Sequence, residues 1–204
     1  MNQKIINLAI IHLNKDLKLK KIIDKHDKPI FEKNNDYYDS LSKSIIYQQL
    51  SGRVAKVIYY RFLDIFDDRK PNPNIILNIS DIELKNIGLS NQKTSYIKDL
   101  SKYFLEKGES TNFELLNDYE IRQELISIKG IGHWTIDMFL MFTILRPNIL
   151  PTGDLGIKNG FKKLFNLKEL PKDDYMLKKS EPWEPYRTIA CYYLWRLVDD
   201  EDFW

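Results

Sequence analysis

Apolar residues recur at three- and four-residue spacing along nearly the whole chain, and no stretch alternates apolar with polar as a half-buried strand would. The pattern predicts an all-α protein. Ile5, Leu8, Ala9, Ile11 and Leu13 mark a first helix, and Leu17, Leu19, Ile22 and Ile23 a second that ends near Lys28-Pro29. Residues from Tyr37 to Phe66 read as a long helical region broken near Ser51-Gly52. Pro71-Asn72-Pro73 reads as a loop. Ser80-Asp81-Ile82-Glu83-Leu84 sets polar caps before apolar residues and opens a short helix that Gly88 ends. Asn91 to Glu106 forms another helix, stopped at Gly108. Asp118 to Ile126 and His133 to Leu145 form two more, Asp154 opens the next, and Pro185 to Val198 gives the last. No internal repeat is visible.

The segment Leu125-Ile126-Ser127-Ile128-Lys129-Gly130-Ile131-Gly132-His133-Trp134-Thr135 therefore reads as helix, tight glycine hairpin, helix. Gly130 and Gly132 are both expected to be able to adopt positive φ, which lets the chain reverse within a few residues. The amides after the turn begin a helix, have no intrahelical partner and favour an anion, for which a DNA phosphate is the natural ligand. Helix hairpins also use glycines for packing alone, so the motif does not decide between the two uses.

Composition narrows the class only a little. The 204 residues suit one domain or two small lobes, and 43% hydrophobic content with 13% aromatics supports a sizeable core. With 31 basic against 29 acidic residues the net charge is only +2, so any nucleic-acid face must come from local clustering. Lys129, Lys158, Lys162 and Lys163 supply such clustering near the hairpin and Asp154, or simply a solvated helix face. A single cysteine, Cys191, excludes a disulfide framework and a four-cysteine iron–sulfur cluster; it lies in an apolar run and reads as a core residue. His12, His26 and His133 lack metal-ligand spacing, no stretch approaches a membrane span, and the N-terminus lacks a secretion signal.

Downstream of the hairpin comes Leu150-Pro151-Thr152-Gly153-Asp154-Leu155-Gly156-Ile157. Three further blocks occur in order: Tyr47-Gln48-Gln49-Leu50-Ser51, then Ile87-Gly88-Leu89-Ser90 with Lys93 and Tyr96, then Trp183-Glu184-Pro185-Tyr186-Arg187 running to Trp195. Taken together, from about residue 36 to 196, the chain resembles the helix-hairpin-helix (HhH-GPD) DNA glycosylases, within them the 3-methyladenine DNA glycosylase II branch. The resemblance implies two helical lobes with an active-site cleft between them. A central lobe at 36–145 would contain the hairpin, and residues 1–35 with 146–204 would form the other.

The resemblance also implies a chemistry. Breaking a base–sugar bond generates an oxocarbenium-like sugar that needs an anion beside it. Asp154 falls on the family's catalytic aspartate, and its place before a helix favours the ionised form, although a plain N-cap would read the same way. Asp137, the rival carboxylate, reads as a solvent-facing or salt-bridged helix residue. Where bifunctional members carry a nucleophilic lysine the chain has Trp134, which cannot form a Schiff base. A monofunctional enzyme is therefore expected, removing 3-methyladenine or 7-methylguanine and leaving an abasic site. The alternatives are a bifunctional glycosylase/lyase and a non-catalytic DNA-binding module.

Trp195 matches the aromatic that stacks on the everted base, whose positive charge an indole face attracts. Trp134 and Tyr47 are the further substrate-binding candidates, with Met138 standing where relatives often have tyrosine. Gln49 falls on the residue that fills the gap left by the base, with Leu50 and Ser51 beside it. Lys129, Gly130, Ile131, Gly132, His133 and Thr135 would hold the DNA backbone. Arg187 reads as structural. No cofactor is required, although in relatives a monovalent cation (Na+ or K+) sits on hairpin carbonyls. The expected partner is double-stranded DNA carrying alkylated bases, bound by a monomer with no membrane role. The compartment would be the nucleoid-associated cytoplasm of a bacterium or the nucleus of a eukaryote.

Overall fold

The computed structural model describes residues 1–198. It is all-α: the described residues form twelve α-helices and two 3-10 turns, with no strand. The chain divides into a central unit, Asn34–Phe139, and a terminal unit made of Met1–Lys33 and the chain from Leu140 onward.

In the terminal unit α1 (Gln3–Leu13) starts where Asn2 accepts the amide of Ile5, and α2 (Leu17–Ile23) where Asp16 accepts those of Lys18 and Leu19. These caps replace helix partners that the first amides lack. After α10 (Leu155–Phe165) and α11 (Asp173–Ser180) comes α12 (Arg187–Val198), which packs on α1, α2 and α10. Their apolar faces bury Ile6, Ala9, Leu13, Leu19, Phe161, Ile189, Tyr193 and Leu194. Trp183, on a 3-10 turn (Glu181–Trp183), is fully buried, and its indole N–H donates to Asp16 Oδ2 at 2.9 Å.

The central unit holds α3 (Tyr37–Tyr47), α4 (Gly52–Leu63), α5 (Pro73–Asn78), α6 (Asp81–Asn86), α7 (Asn91–Glu106), α8 (Asp118–Ile126) and most of α9 (His133–Phe142). The long α7 packs on α3, α5 and α6. Leu41, Ile45, Ile46, Ile97, Leu100, Ile121, Leu125, Ile136 and Phe139 make this core, and Tyr38 and Ser101 join α3 to α7 through their hydroxyls at 2.7 Å.

Several boundaries differ from the periodicity. The Tyr37–Phe66 region breaks at residues 48–51 and its second helix stops at Leu63. The loop at Pro71-Pro73 leads directly into α5, because Asn72 caps it and Pro73 occupies the first turn, where its missing N–H costs nothing. Helix α9 ends at Phe142 rather than Leu145: Leu145 takes φ +62° and the amide of Arg146 turns back to the carbonyl of Leu140 at 2.8 Å. α12 starts at Arg187, after a cis Glu184–Pro185 peptide, rather than at Pro185. Helix α11 was not anticipated, since only Met176 and Ser180 are buried; its signal was charge, acidic in the first turn and basic in the last.

The division between the units falls at 33/34 and 139/140, against the expected 35/36 and 145/146. The end of α9 belongs with the terminal unit because Phe142 packs there against Phe31, at 6.1 Å between centroids, and Trp195, at 5.9 Å. The expected lobe also included residues 199–204, which lie outside the described residues.

Candidate functional site

The hairpin is set up by a reciprocal cap on α8: Asn117 Oδ1 accepts the amide of Glu120 at 3.0 Å, and Glu120 Oε2 accepts that of Asn117 at 2.8 Å. The chain then reverses at Gly130, with φ +88° and the amide of Ile131 donating to the carbonyl of Ile128. Glycine is required twice here. Besides the left-handed backbone, a Cβ would lie 2.1 Å from Cγ of Tyr96, whose ring covers the turn.

Of the two glycines able to adopt positive φ only Gly130 does so here; the φ of Gly132 is not positive, and the space around its missing Cβ is open. It precedes α9, and its carbonyl accepts the amide of Ile136 at 3.1 Å. The amides of His133 and Thr135 therefore have no acceptor within the helix.

Of the residues expected at the DNA backbone, Lys129, Gly132 and His133 are exposed. Ile131 is buried and its amide is committed inside the turn, so it cannot serve a phosphate while the turn is intact. Thr135 is buried too, and its hydroxyl accepts a hydrogen bond from Gln48 at 2.9 Å. Lys129 Nζ reaches Ser95 Oγ at 3.2 Å. Gln49, Leu50 and Ser51 all lie on the exposed loop between α3 and α4.

On this same unit Tyr47 is half-buried, edge-on to Tyr59 at 6.4 Å, with Lys43 Nζ 5.6 Å above its ring. Tyr59 donates to Asp39 Oδ1 at 2.6 Å. Burial pushes the Asp39 carboxyl up, against the lowering effect of that hydrogen bond, and pushes Lys43 down. Trp134 is half-buried in the first turn of α9, whereas Met138 is 1% exposed. Asp137, expected to be solvent-facing or salt-bridged, is buried and pairs with Arg122.

Asp154 lies in the terminal unit. The loop before it is tightly turned, with Thr152 N donating to the carbonyl of Leu150 and Asp154 N to that of Pro151, each at 3.0 Å. Asp154 caps α10: its Oδ1 accepts the amide of Ile157 at 2.8 Å and the indole N–H of Trp195 at 2.9 Å. Two donors from positions 3 and 41 residues downstream thus anchor Oδ1 of the carboxylate. Gly156 makes the second possible, because a Cβ there would stand 2.8 Å from Trp195 Cδ1 and 3.1 Å from Asp154 Oδ1.

Sequence reasoning picked out Asp154 and Trp195 separately and missed their bond; the glycine two residues after the aspartate was the available signal. Gln48 and Lys93 were named only as parts of the family pattern and given no role, yet their side chains hold the loop that carries Gln49. The neighbouring lysines are largely occupied: Lys158 pairs with Asp173 at 3.1 Å and Lys163 donates to the carbonyl of Leu197. Arg187 pairs with Glu184 and donates to the carbonyl of Ser180, tying the start of α12 to the end of α11. Cys191 is buried. Among the described residues no group of three or more His, Cys, Asp or Glu could hold a metal ion, and no helix is long and apolar enough to cross a membrane.

The all-α scaffold carries a glycine hairpin and, further on, a helix-capping aspartate, as the family resemblance implies, and the comparisons define the class, the helical base-excision proteins. Residues 42–185 match the HhH-GPD superfamily base excision DNA repair protein family. The chain is 36% identical over 170 residues to the putative DNA-3-methyladenine glycosylase YfjP of Bacillus subtilis, covering 79% of this chain and 59% of that one. It is 32% identical over 169 residues to DNA-3-methyladenine glycosylase 1 of Schizosaccharomyces pombe, covering 81% and 74%. The solved structure of the fission-yeast 3-methyladenine DNA glycosylase Mag1 in complex with abasic DNA superposes with a TM-score of 0.86 at 30% identity, over 96% of this chain and 98% of that one. The chain belongs to the HhH-GPD superfamily, in its 3-methyladenine DNA glycosylase branch.

Proposed function

We propose that this protein is a monofunctional DNA-3-methyladenine glycosylase of base-excision repair, hydrolysing the N-glycosidic bond of everted alkylated purines. The observation that carries the reading is the carboxylate of Asp154, oriented by a helix-terminal amide and an indole N–H on one oxygen. Fixed dipoles of this kind hold a charge where a cation will form, at no reorganisation cost during the reaction.

The base–sugar bond breaks with its electron pair leaving on the purine. A 3-methyladenine or 7-methylguanine is cationic and departs neutral, so no general acid is needed. Asp154 stabilises the oxocarbenium-like sugar and then takes the proton of the water that adds to C1′, passing it to solvent. The face of Trp195 attracts the cationic base; Trp134, Tyr47 and Met138, on the central unit, are the further substrate-binding residues that the family resemblance suggests. Trp134 cannot form a Schiff base, so the strand is left intact at an abasic site.

Double-stranded DNA is the partner. Phosphates are held at the start of α9 by the amides of His133 and Thr135, with Gly132 leaving room for close approach. Lys129 adds charge, Gln49 fills the vacated stack, and Leu50 and Ser51 flank it. The protein acts as a monomer alongside the chromosome, in the cytoplasm of a bacterium or the nucleus of a eukaryote. The reaction requires no cofactor. A Na+ or K+ at the hairpin would have to use its backbone carbonyls, of which those of Ile128 and Gly130 already accept hydrogen bonds, and no step runs through it.

The test is release of free 3-methyladenine and 7-methylguanine from methylated DNA, with Asp154→Asn in parallel. Asparagine caps a helix as well as aspartate, so the variant changes charge and little else. Release should fall by at least about a hundredfold, the scale of a lost electrostatic stabiliser. Unchanged release would remove Asp154 from the mechanism, and no release by the parent would leave a DNA-holding module.

A further inference from the structure

In the central unit the chain leaves α3 at Tyr47 and turns through Gln48, at φ −52° and ψ 132°, and Gln49, at φ +56°, before Ser51 begins α4. A left-handed conformation crowds the Cβ of any residue but glycine against the following carbonyl. Gln49 is exposed, so packing does not explain why a long side chain occupies this strained position.

Two side chains hold the turn in this shape. Lys93 on α7 directs its ammonium to the carbonyls of Ile46, at 2.8 Å, and Gln48, at 2.7 Å. These oxygens lie at the end of α3, where no further helical amide can reach them. The Gln48 side chain points the other way. Its Nε2 donates to the carbonyl of Gly130 and to Oγ1 of Thr135, each at 2.9 Å, one acceptor before and one after Gly132. Both amide hydrogens of Gln48 thus end on the hairpin, while its backbone carbonyl is held by Lys93.

We propose that Gln48, supported by Lys93, is a positioning residue that locks the Gln49 turn to the glycine hairpin. The side chain that enters the duplex and the amides that grip its backbone then meet DNA as one unit. This deepens the glycosylase reading and rests on it. A loop free to swing would lose its conformational freedom on entering the base stack and so weaken insertion; a clamped loop has lost it already on folding. The left-handed backbone at Gln49 is what such a clamp must hold, since without it the residue would relax toward the extended or right-handed regions.

Gln48→Met tests the clamp, because methionine matches the length of glutamine and donates nothing. The variant is bound to a duplex carrying a tetrahydrofuran abasic analogue opposite 2-aminopurine. Affinity is read by anisotropy, and insertion by the change in 2-aminopurine fluorescence. Release of 7-methylguanine from a paired duplex is followed at single turnover.

The expected result is a fivefold or greater loss of the fluorescence change and a tenfold or greater loss of release rate, with Kd within threefold of the parent. Lys93→Met should shift both readouts in the same direction, Lys93→Arg should restore them, and these variants carry the test if Gln48→Met does not fold. Retention of the full fluorescence change by Gln48→Met would overturn the proposal. So would loss of affinity and insertion in equal proportion, which a merely structural role predicts. A parent that inserts but releases no purine would overturn the glycosylase reading alone. A parent that releases purine, with Gln48→Met inserting normally, would overturn the clamp alone.

Discussion

Helix α9 and helix α10 begin in opposite ways. Before α9 stands Gly132, with open space where a side chain would be, and the first amides of the helix find no acceptor within it. Before α10 stands Asp154, whose own carboxylate accepts the amide of Ile157 and the indole N–H of Trp195. Both helix starts carry the same partial positive charge. One leaves it available to an anion brought by a partner, and the other satisfies it with an anion the protein keeps. In the glycosylase proposed here, binding DNA and stabilising a sugar cation would draw on one backbone property, and what separates them is the residue at the cap.

Beyond the loss expected of Asp154→Asn, the sharpest way to break this comparison is to give both hairpin glycines the same side chain. Gly130→Ala puts a Cβ at φ +88° and 2.1 Å from the Tyr96 ring. Backbone strain and overpacking together should cost about 2–5 kcal/mol and lower Tm by roughly 5–15 °C in a chain of this size. Gly132→Ala meets nothing within 4 Å, so stability should change by less than about 1 kcal/mol, yet DNA affinity should drop. A Gly132→Ala variant with parental affinity would mean that the start of α9 does not receive DNA.

At the other cap, Trp195→Phe keeps an aromatic face but removes the N–H donated to Asp154 Oδ1. Release should fall by about tenfold, corresponding to ~1.4 kcal/mol for a hydrogen bond to a charged group. The loss should be much smaller in an Asp154→Asn background, because the two residues act through one carboxylate. Equal losses in both backgrounds would assign Trp195 to base stacking alone.

The smallest effect concerns Asp39, away from both caps. Burial raises its pKa above the ordinary aspartate value, so the native state holds this proton to higher pH than the unfolded chain does. Its contribution to stability is fully present below about the ordinary carboxylate value and is lost as pH rises through the raised one. The Tm of the parent relative to Asp39→Asn should therefore increase as the solution is acidified across that window. A difference independent of pH would show that Asp39 titrates alike folded and unfolded.

The helical architecture was legible because each helix needs its own apolar stripe and cap, and both are written in consecutive residues. Ser80 with Glu83, and Asn117 with Glu120, could be paired by spacing alone. The end of α9 was not legible: Ile144 and Leu145 continue the apolar pattern, and only the packing of Phe142 on Phe31 and Trp195, with the turn at Leu145, shows where the helix stops. The role of Gln48 was equally hidden, since its acceptors lie 82 and 87 residues away.

By itself the sequence determined the all-α class, the glycine turn and the aspartate ahead of a helix, and its family resemblance added the tryptophan in place of a lysine. These are properties of residue type and of neighbours a few positions apart, which the backbone enforces locally. Tertiary structure alone decided that Asp137 is neutralised by Arg122, that Trp195 orients Asp154 across Gly156, and that Gln48 ties its loop to the hairpin. Each of those depends on a hydrogen bond or ion pair between side chains far apart in the chain. Such bonds form only after burial of the apolar faces has brought the helices together, and the order of residues does not encode those distances.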